Sequence, residues 1–201
     1  MNRIVRRPAV LAGSLGLAGG LAPSTLPASA TTLSSVAWGA AATGPAVIHP
    51  VALATPQHTP VVAGHAKYPN FLATGLIVDW ATGTTSHSLV NSPRVNLAAF
   101  GAPAGTTVSA SKITSGCRAS GDNAFRGASI FGGSMDGTQL RCTRNSTPCW
   151  SSGTRAGDPI GSVTLNWQGD MGGHLMVIAI YVTLGPEILE LAASQCGKTV
   201  E

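Results

Sequence analysis

Ile160-Gly-Ser-Val-Thr-Leu-Asn-Trp-Gln168 runs through Gly169-Asp-Met-Gly-Gly173 into His174-Leu-Met-Val-Ile-Ala-Ile-Tyr-Val-Thr-Leu184. In the first arm Val163, Leu165 and Trp167 alternate with Ser162, Thr164 and Asn166. That is the period of a strand with one buried face. The second arm, Leu175 to Val182, is apolar at every position, as a central strand covered on both sides requires. Gly169, Gly172 and Gly173 supply a flexible turn between the arms. Strict alternation puts Val163, Leu165, Trp167, Val177, Ala179 and Tyr181 on one face and Met176, Ile178 and Ile180 on the other. Such a hairpin needs further strands beside it and a second layer against it.

Outward from the hairpin, strand signals recur at short intervals. Phe71 to Trp80, Thr84 to Leu97 with Pro93 as a bulge or edge, and Thr106 to Ile113 read as strands. In the last of these Val108, Ala110 and Lys112 share a face. Ala124 to Phe131 and Met135 to Leu140 read as a hairpin across Gly132-Gly133. Arg141 to Asp158, rich in Ser, Thr and Arg, reads as a long polar loop. Leu33 to Ala42 and the proline-broken Val47 to Leu53 are earlier strands, the second at an edge, and Thr55 to His65 reads as a loop. By periodicity alone Glu187 to Gln195 is ambiguous, since Pro186 before Glu-Ile-Leu-Glu-Leu-Ala-Ala also suits a helix start. The pattern as a whole predicts an all-β, antiparallel β-sandwich.

Residues 1–30 have the marks of a cleaved secretory signal peptide: Arg3, Arg6 and Arg7, an apolar stretch from Ala9 to Leu21, and Ala28-Ser29-Ala30. The apolar stretch is shorter than the ~20 residues of a membrane span. The expected organisation is thus 1–30 leader, 31–67 strands and loop interrupted by proline and glycine, and 68–201 the sandwich, with the secreted form starting at Thr31. Without Arg3, Arg6 and Arg7, nine Lys and Arg remain against eight Asp and Glu, a net charge of +1. These are dispersed, which argues against a nucleic-acid surface. No membrane attachment is expected after cleavage.

The four cysteines, Cys117, Cys142, Cys149 and Cys196, all follow the leader, and an even number in an exported chain implies disulfides, with three possible connectivities. Cys142 and Cys149 bracket a short polar loop, and Cys117 and Cys196 follow two apolar strands, so each couple is paired. No zinc-type spacing occurs, and no metal or other cofactor is expected.

Four stretches resemble the choice-of-anchor P family of exported actinobacterial proteins. They are Val36-Ala-Trp-Gly-Ala-Ala-Ala-Thr-Gly44, Val108-Ser-Ala-Ser-Lys-Ile-Thr-Ser-Gly-Cys117, Ala128-Ser-Ile-Phe-Gly-Gly-Ser-Met-Asp-Gly-Thr138, and Gly161 to Asn166 running into Val177 to Leu184 and on to Cys196. The resemblance spans most of residues 33–197. It implies a β-rich extracellular domain without established catalytic activity, a strand at Glu187 to Gln195, and a Cys117–Cys196 link. Arg141 to Trp150, with its own cysteine pair, departs from the family pattern. No sorting motif or apolar tail precedes Glu201, so release or non-covalent retention at the cell surface is expected.

Catalytic signals are sparse. Gly132-Gly-Ser134-Met-Asp136 fails the nucleophile-elbow pattern at its last position. His49, His58, His65 and His87 lie outside the central hairpin, and His174 opens its second arm, making it the best histidine for a hydrolase. Asp136 and Asp170 sit in glycine-rich turns, which explain them more simply than a glycosidase pair. The leading expectation is a secreted, non-enzymatic sandwich, structural or adhesive at the cell surface. The alternatives are a carbohydrate or cell-wall binding module using Trp80, Trp150 and Arg144, and a small secreted hydrolase. The expected partner is cell-wall polysaccharide or another surface protein.

Overall fold

The computed structural model describes residues 35–197, apart from 45–46, 69–70, 101, 120–124, 142–147, 156–157 and 172–173. The expected leader, the Cys142–Cys149 link and Arg144 lie outside the described residues. The strands are β1 (Val36–Thr43), β2 (Ile48–Val51), β3 (Val61–Ala63), β4 (Lys67–Tyr68), β5 (Leu72–Ala73), β6 (Ile77–Ala81), β7 (Thr85–Asn91) and β8 (Arg94–Asn96). They continue with β9 (Thr107–Ser109), β10 (Lys112–Arg118), β11 (Phe125–Phe131), β12 (Ser134–Met135), β13 (Thr138–Gln139), β14 (Pro148–Arg155), β15 (Asp158–Met171), β16 (His174–Leu184) and β17 (Glu187–Gly197). One short 3-10 turn, Leu97–Phe100, follows β8. The protein is all-β, with three antiparallel sheets.

The hairpin read first from the sequence, β15 and β16, lies inside a six-stranded sheet of order β14-β15-β16-β17-β1-β2. Glu187 to Gln195 is strand, within β17, and not helix. Leu189 and Leu191 point into the core from it, and pairing on both sides with β16 and β1 outweighs its helix-forming composition. Pro50 is confined to the edge strand β2, where its missing N–H costs no ladder bond. Arg141 to Asp158, expected to be a loop, instead contains β14, which pairs antiparallel with β15. An edge strand with one neighbour tolerates the polar composition that made this stretch look like a loop.

The second layer is a five-stranded sheet, β11-β10-β7-β6-β3, that bends into a third, β13-β12-β9-β8-β5-β4. Four strands cross the bend: β6 follows β5, β8 follows β7, β10 follows β9, and β12 follows β11. The breaks fall at Gly75, Ser92-Pro93, Ala110-Ser111 and Gly132-Gly133. Ser92 (φ 47°) and Gly132 (φ 62°) adopt left-handed backbone there. Hydrogen bonds carry the pairing round the corner, from Gly75 N to Asn91 O (2.7 Å) and from Ser92 N to Ser111 O (2.8 Å). Thr106 to Ile113 is therefore two strands. Val108 and Ala110 are buried before the corner, Ile113 after it, and Lys112 is exposed.

A matching phase change crosses the six-stranded sheet. Asn166, Ala179, Ala192 and Gly39 lie abreast on β15, β16, β17 and β1, and the ladder skips all four while the register on either side is unchanged. Asn166 and Ala192 both have φ of 50°. On one side of this row Leu175 and Val177 face the other sheets; on the other side Ile180, Val182 and Leu184 do. The strict alternation read from the sequence is corrected accordingly. Ile180 belongs to the main core. Trp167 and Tyr181 lie on the opposite face with Met176 and Ile178, their rings 5.3 Å apart. Val163, Leu165, Val177 and Ala179 face inward as expected.

Candidate functional site

The outer face of the five-stranded sheet carries one row of residues in register across four strands: Trp80 on β6, His87 on β7, Gly116 on β10 and Gly127 on β11. Alternation along the strands turns all four away from the core. Trp80 and His87 stack, with ring centroids 5.8 Å apart and planes 14° apart. The phenyl ring of Phe125 lies over Gly127, its Cζ 3.6 Å from where a β-carbon would stand. Gly116 forms the floor between the rings, and a β-carbon there would rise to 3.5 Å from His87 Cδ2. The result is a shallow groove of about 280 Å³ with an aromatic wall on either side and Arg118 at its rim.

The walls remain open to solvent. Trp80 is 36% and Phe125 66% exposed. Burial lowers the pKa of His87, and the nearby Lys112 charge lowers it further. At neutral pH the imidazole is therefore an uncharged ring stacked beside Trp80. Aromatic walls over a glycine floor, with little charge, suit the apolar faces of sugar rings or other planar groups.

Beneath the groove the sandwich is linked and polar. Cys117, beside Gly116, is bonded to Cys196 of β17, joining the two sheets across 79 residues of sequence. Ser86 Oγ donates to Gln195 O (2.9 Å), Ser88 Oγ donates to Trp38 O (3.1 Å), and the hydroxyls of Ser115 and Ser194 bond at 2.7 Å. Asp79 next to Trp80 points inward and is 0% exposed, and neither carboxyl oxygen has a hydrogen bond. Burial pushes its pKa up to about 7. The Ser88 hydroxyl and the N–H groups of Leu89 and Gly39 pull it the other way without closing a bond of good geometry.

Of the residues read from the sequence as ligand-binding, only Trp80 is placed in this site. Trp150 lies on β14, its backbone paired with Val163, and its side chain is outside the described residues, as is Arg144. His87 and Phe125 were missed. His87 stood alone among polar residues in the sequence, and only the register sets it against Trp80. Phe125 opens an apolar strand, where burial is the ordinary expectation.

The remaining sequence candidates lie outside this groove. His174 Nδ1 is buried without a hydrogen bond. Asp170, four residues earlier, pairs with Arg126 at 2.8 Å. Asp136, with φ of 50°, closes a turn by accepting from Thr107 N at 2.6 Å. Among the described residues no cluster of three or more His, Cys, Asp or Glu side chains stands ready for a metal. No helix there is long and apolar enough to cross a membrane.

The opposite face of the six-stranded sheet is also aromatic, but it covers itself. Trp38 Nε1 donates to Glu190 Oε2 at 3.0 Å, and Trp167 folds over Gly169. Burial raises the Glu190 pKa, against the lowering effect of the Trp38 bond. With Trp38, Met176 and Ile178 all buried, that face is closed where the Trp80 groove is open.

No family model, curated protein or solved structure matches this chain.

Proposed function

We propose that this is a secreted, non-enzymatic protein of the cell surface, structural or adhesive, that holds cell-wall polysaccharide in the groove between Trp80 and Phe125. The single observation that carries the binding role is the exposed aromatic row floored by glycine. Export is supported by the leader-like residues 1–30, by the Cys117–Cys196 bond and by the resemblance to the choice-of-anchor P family. The test is retention of the purified, oxidised protein on insoluble peptidoglycan and on immobilised cell-wall glycans. Trp80→Ala should weaken retention at least tenfold, equivalent to about 1.4 kcal/mol. Retention unaffected by both Trp80→Ala and Phe125→Ala would remove the groove from the function.

A further inference from the structure

A second cleft, of about 610 Å³, lies on the other side of β11, between that strand and β15. Ala128, Ile130, Leu140, Arg141, Leu165 and Asn166 line it, and its size falls in the usual range for ligand clefts. Its position follows from the sheet topology. β11 is the edge of the five-stranded sheet and packs over β15 and β16. The six-stranded sheet continues one strand further, to β14, and no strand of the facing sheet packs closely over β14. The upper sheet is thus one strand short above the lower one.

The exposed backbone of β11 points into this gap. Phe131 O accepts from Ser111 N on the β10 side, so the odd-numbered residues of β11 face β10. By the alternation of an antiparallel ladder, Arg126, Ala128 and Ile130 turn their N–H and C=O groups outward. Among the described residues only the Ala128 N–H is taken, by Asn166 Oδ1 at 2.9 Å. Asn166 reaches it from the skipped row of β15, with a left-handed backbone that places its carboxamide where a neighbouring strand's carbonyl would stand. The edge is therefore held by a side chain and not by a strand. Its floor and walls are apolar at Ala128, Ile130, Leu140 and Leu165.

Charge fixes a direction. Arg126, at one end of β11, is neutralised by Asp170. Arg141, at the other, is exposed and has no ion pair among the described residues; the Leu140 N to Gly133 O bond (2.9 Å) keeps it beyond Phe131. A strand entering antiparallel to β11 starts beside Arg141. We infer that this cleft accepts an extended peptide from another protein by strand addition to β11, with an acidic side chain near the peptide's N-terminal end against Arg141 and alternate apolar side chains over Leu165. Main-chain bonds to Arg126, to Ile130 and to the Ala128 carbonyl supply the affinity in this mode and the side-chain pockets the selectivity.

The probe is the blocked peptide acetyl-Asp-Val-Thr-Val-Thr-Val-amide, titrated into the purified, oxidised protein while amide exchange is followed by NMR. At saturation the Arg126 and Ile130 amides should exchange at least tenfold more slowly. The same peptide N-methylated at alternate residues should not bind. Replacing its Asp by Lys should weaken binding at least fivefold, and Arg141→Glu should reverse that preference. Binding without slowed exchange at Arg126 and Ile130, equal binding of the N-methylated peptide, or no binding would overturn the inference. So would protection of these amides in a concentration-dependent dimer without peptide, which would assign the edge to a second copy of the chain.

Discussion

The interior of this protein has two halves that join the same sheets by different means. On one side of the skipped row, Leu72, Ile77, Val90, Val95, Ile113, Val163, Ile180, Val182, Leu189 and Leu191 form a continuous apolar core. On the other side the facing residues are Ser86, Ser88, Ser115, Ser194, Asp79 and the Cys117–Cys196 bond, with Leu175, Val177, Ala37 and Ala81. The first half is stabilised by area removed from water, at ~25 cal/mol per Å². The second buries fewer large apolar side chains, Leu175 and Val177 against the ten of the first. It is held by hydroxyl hydrogen bonds, each worth about 1 kcal/mol net, and by a covalent link. The face that carries the Trp80 groove sits over the second half. The open aromatic groove lies where the sheets are fixed by a bond and small polar side chains, so Trp80 and Phe125 are not needed inside.

Removing the link should separate the halves most sharply. Cys117→Ser with Cys196→Ser should cost on the order of 4 kcal/mol in the chain-entropy model for a loop of this length, read as a lowered denaturant midpoint. Hydrogen exchange should then rise first at Ser86, Ser88 and Ser115. If Leu189 and Leu191 lost protection equally early, the two halves would be one cooperative unit.

Ile180→Ala tests the apolar half and the phase change together. A fully buried isoleucine in the main core should cost roughly 2–5 kcal/mol. Tyr181→Ala, at the half-buried neighbour on the opposite face, should cost less. The reverse order in thermal unfolding would restore the strict alternation expected from the sequence.

Asp79 gives the polar half a pH dependence of its own. Its folded pKa, about 7, lies above the ordinary 3.8, so the folded state keeps a proton that the unfolded chain releases. The stability tied to that proton is full below about pH 4 and is lost as the pH rises through 7. Asp79→Asn should therefore raise stability at pH 8 by about 2 kcal/mol, within the limit of roughly 4 kcal/mol set by the two pKa values, and change it little at pH 4. Equal effects at both pH values in urea titrations would show that the carboxyl does not titrate on unfolding.

The smallest effect is expected at Ser115→Ala. It removes one buried hydroxyl bond and leaves Ser194 without its partner, a loss of about 1 kcal/mol by equilibrium denaturation. A loss as large as that of Ile180→Ala would mean that the serine layer carries far more than its individual bonds.

The sequence by itself determined the strands with strong period-2 or fully apolar patterns. β15, β16 and the all-β class were legible because side chains on a strand alternate by geometry, whatever the strand packs against. The placement of Pro50 at an edge was legible for the same local reason, a missing donor. Cysteine position gave the Cys117–Cys196 pairing, since both residues end apolar strands. Tertiary structure alone decided the rest. The faces of Trp167, Ile180 and Tyr181 depend on a phase change at Asn166, Ala179, Ala192 and Gly39, four residues on four different strands that lie abreast only once the strands are paired. β14 is a strand because β15 offers it a free edge, not because of its composition. The groove follows the same logic: Trp80, His87, Gly116 and Gly127 come from four strands, and each is unremarkable alone. Register brings them together, and register is set by how the two layers pack.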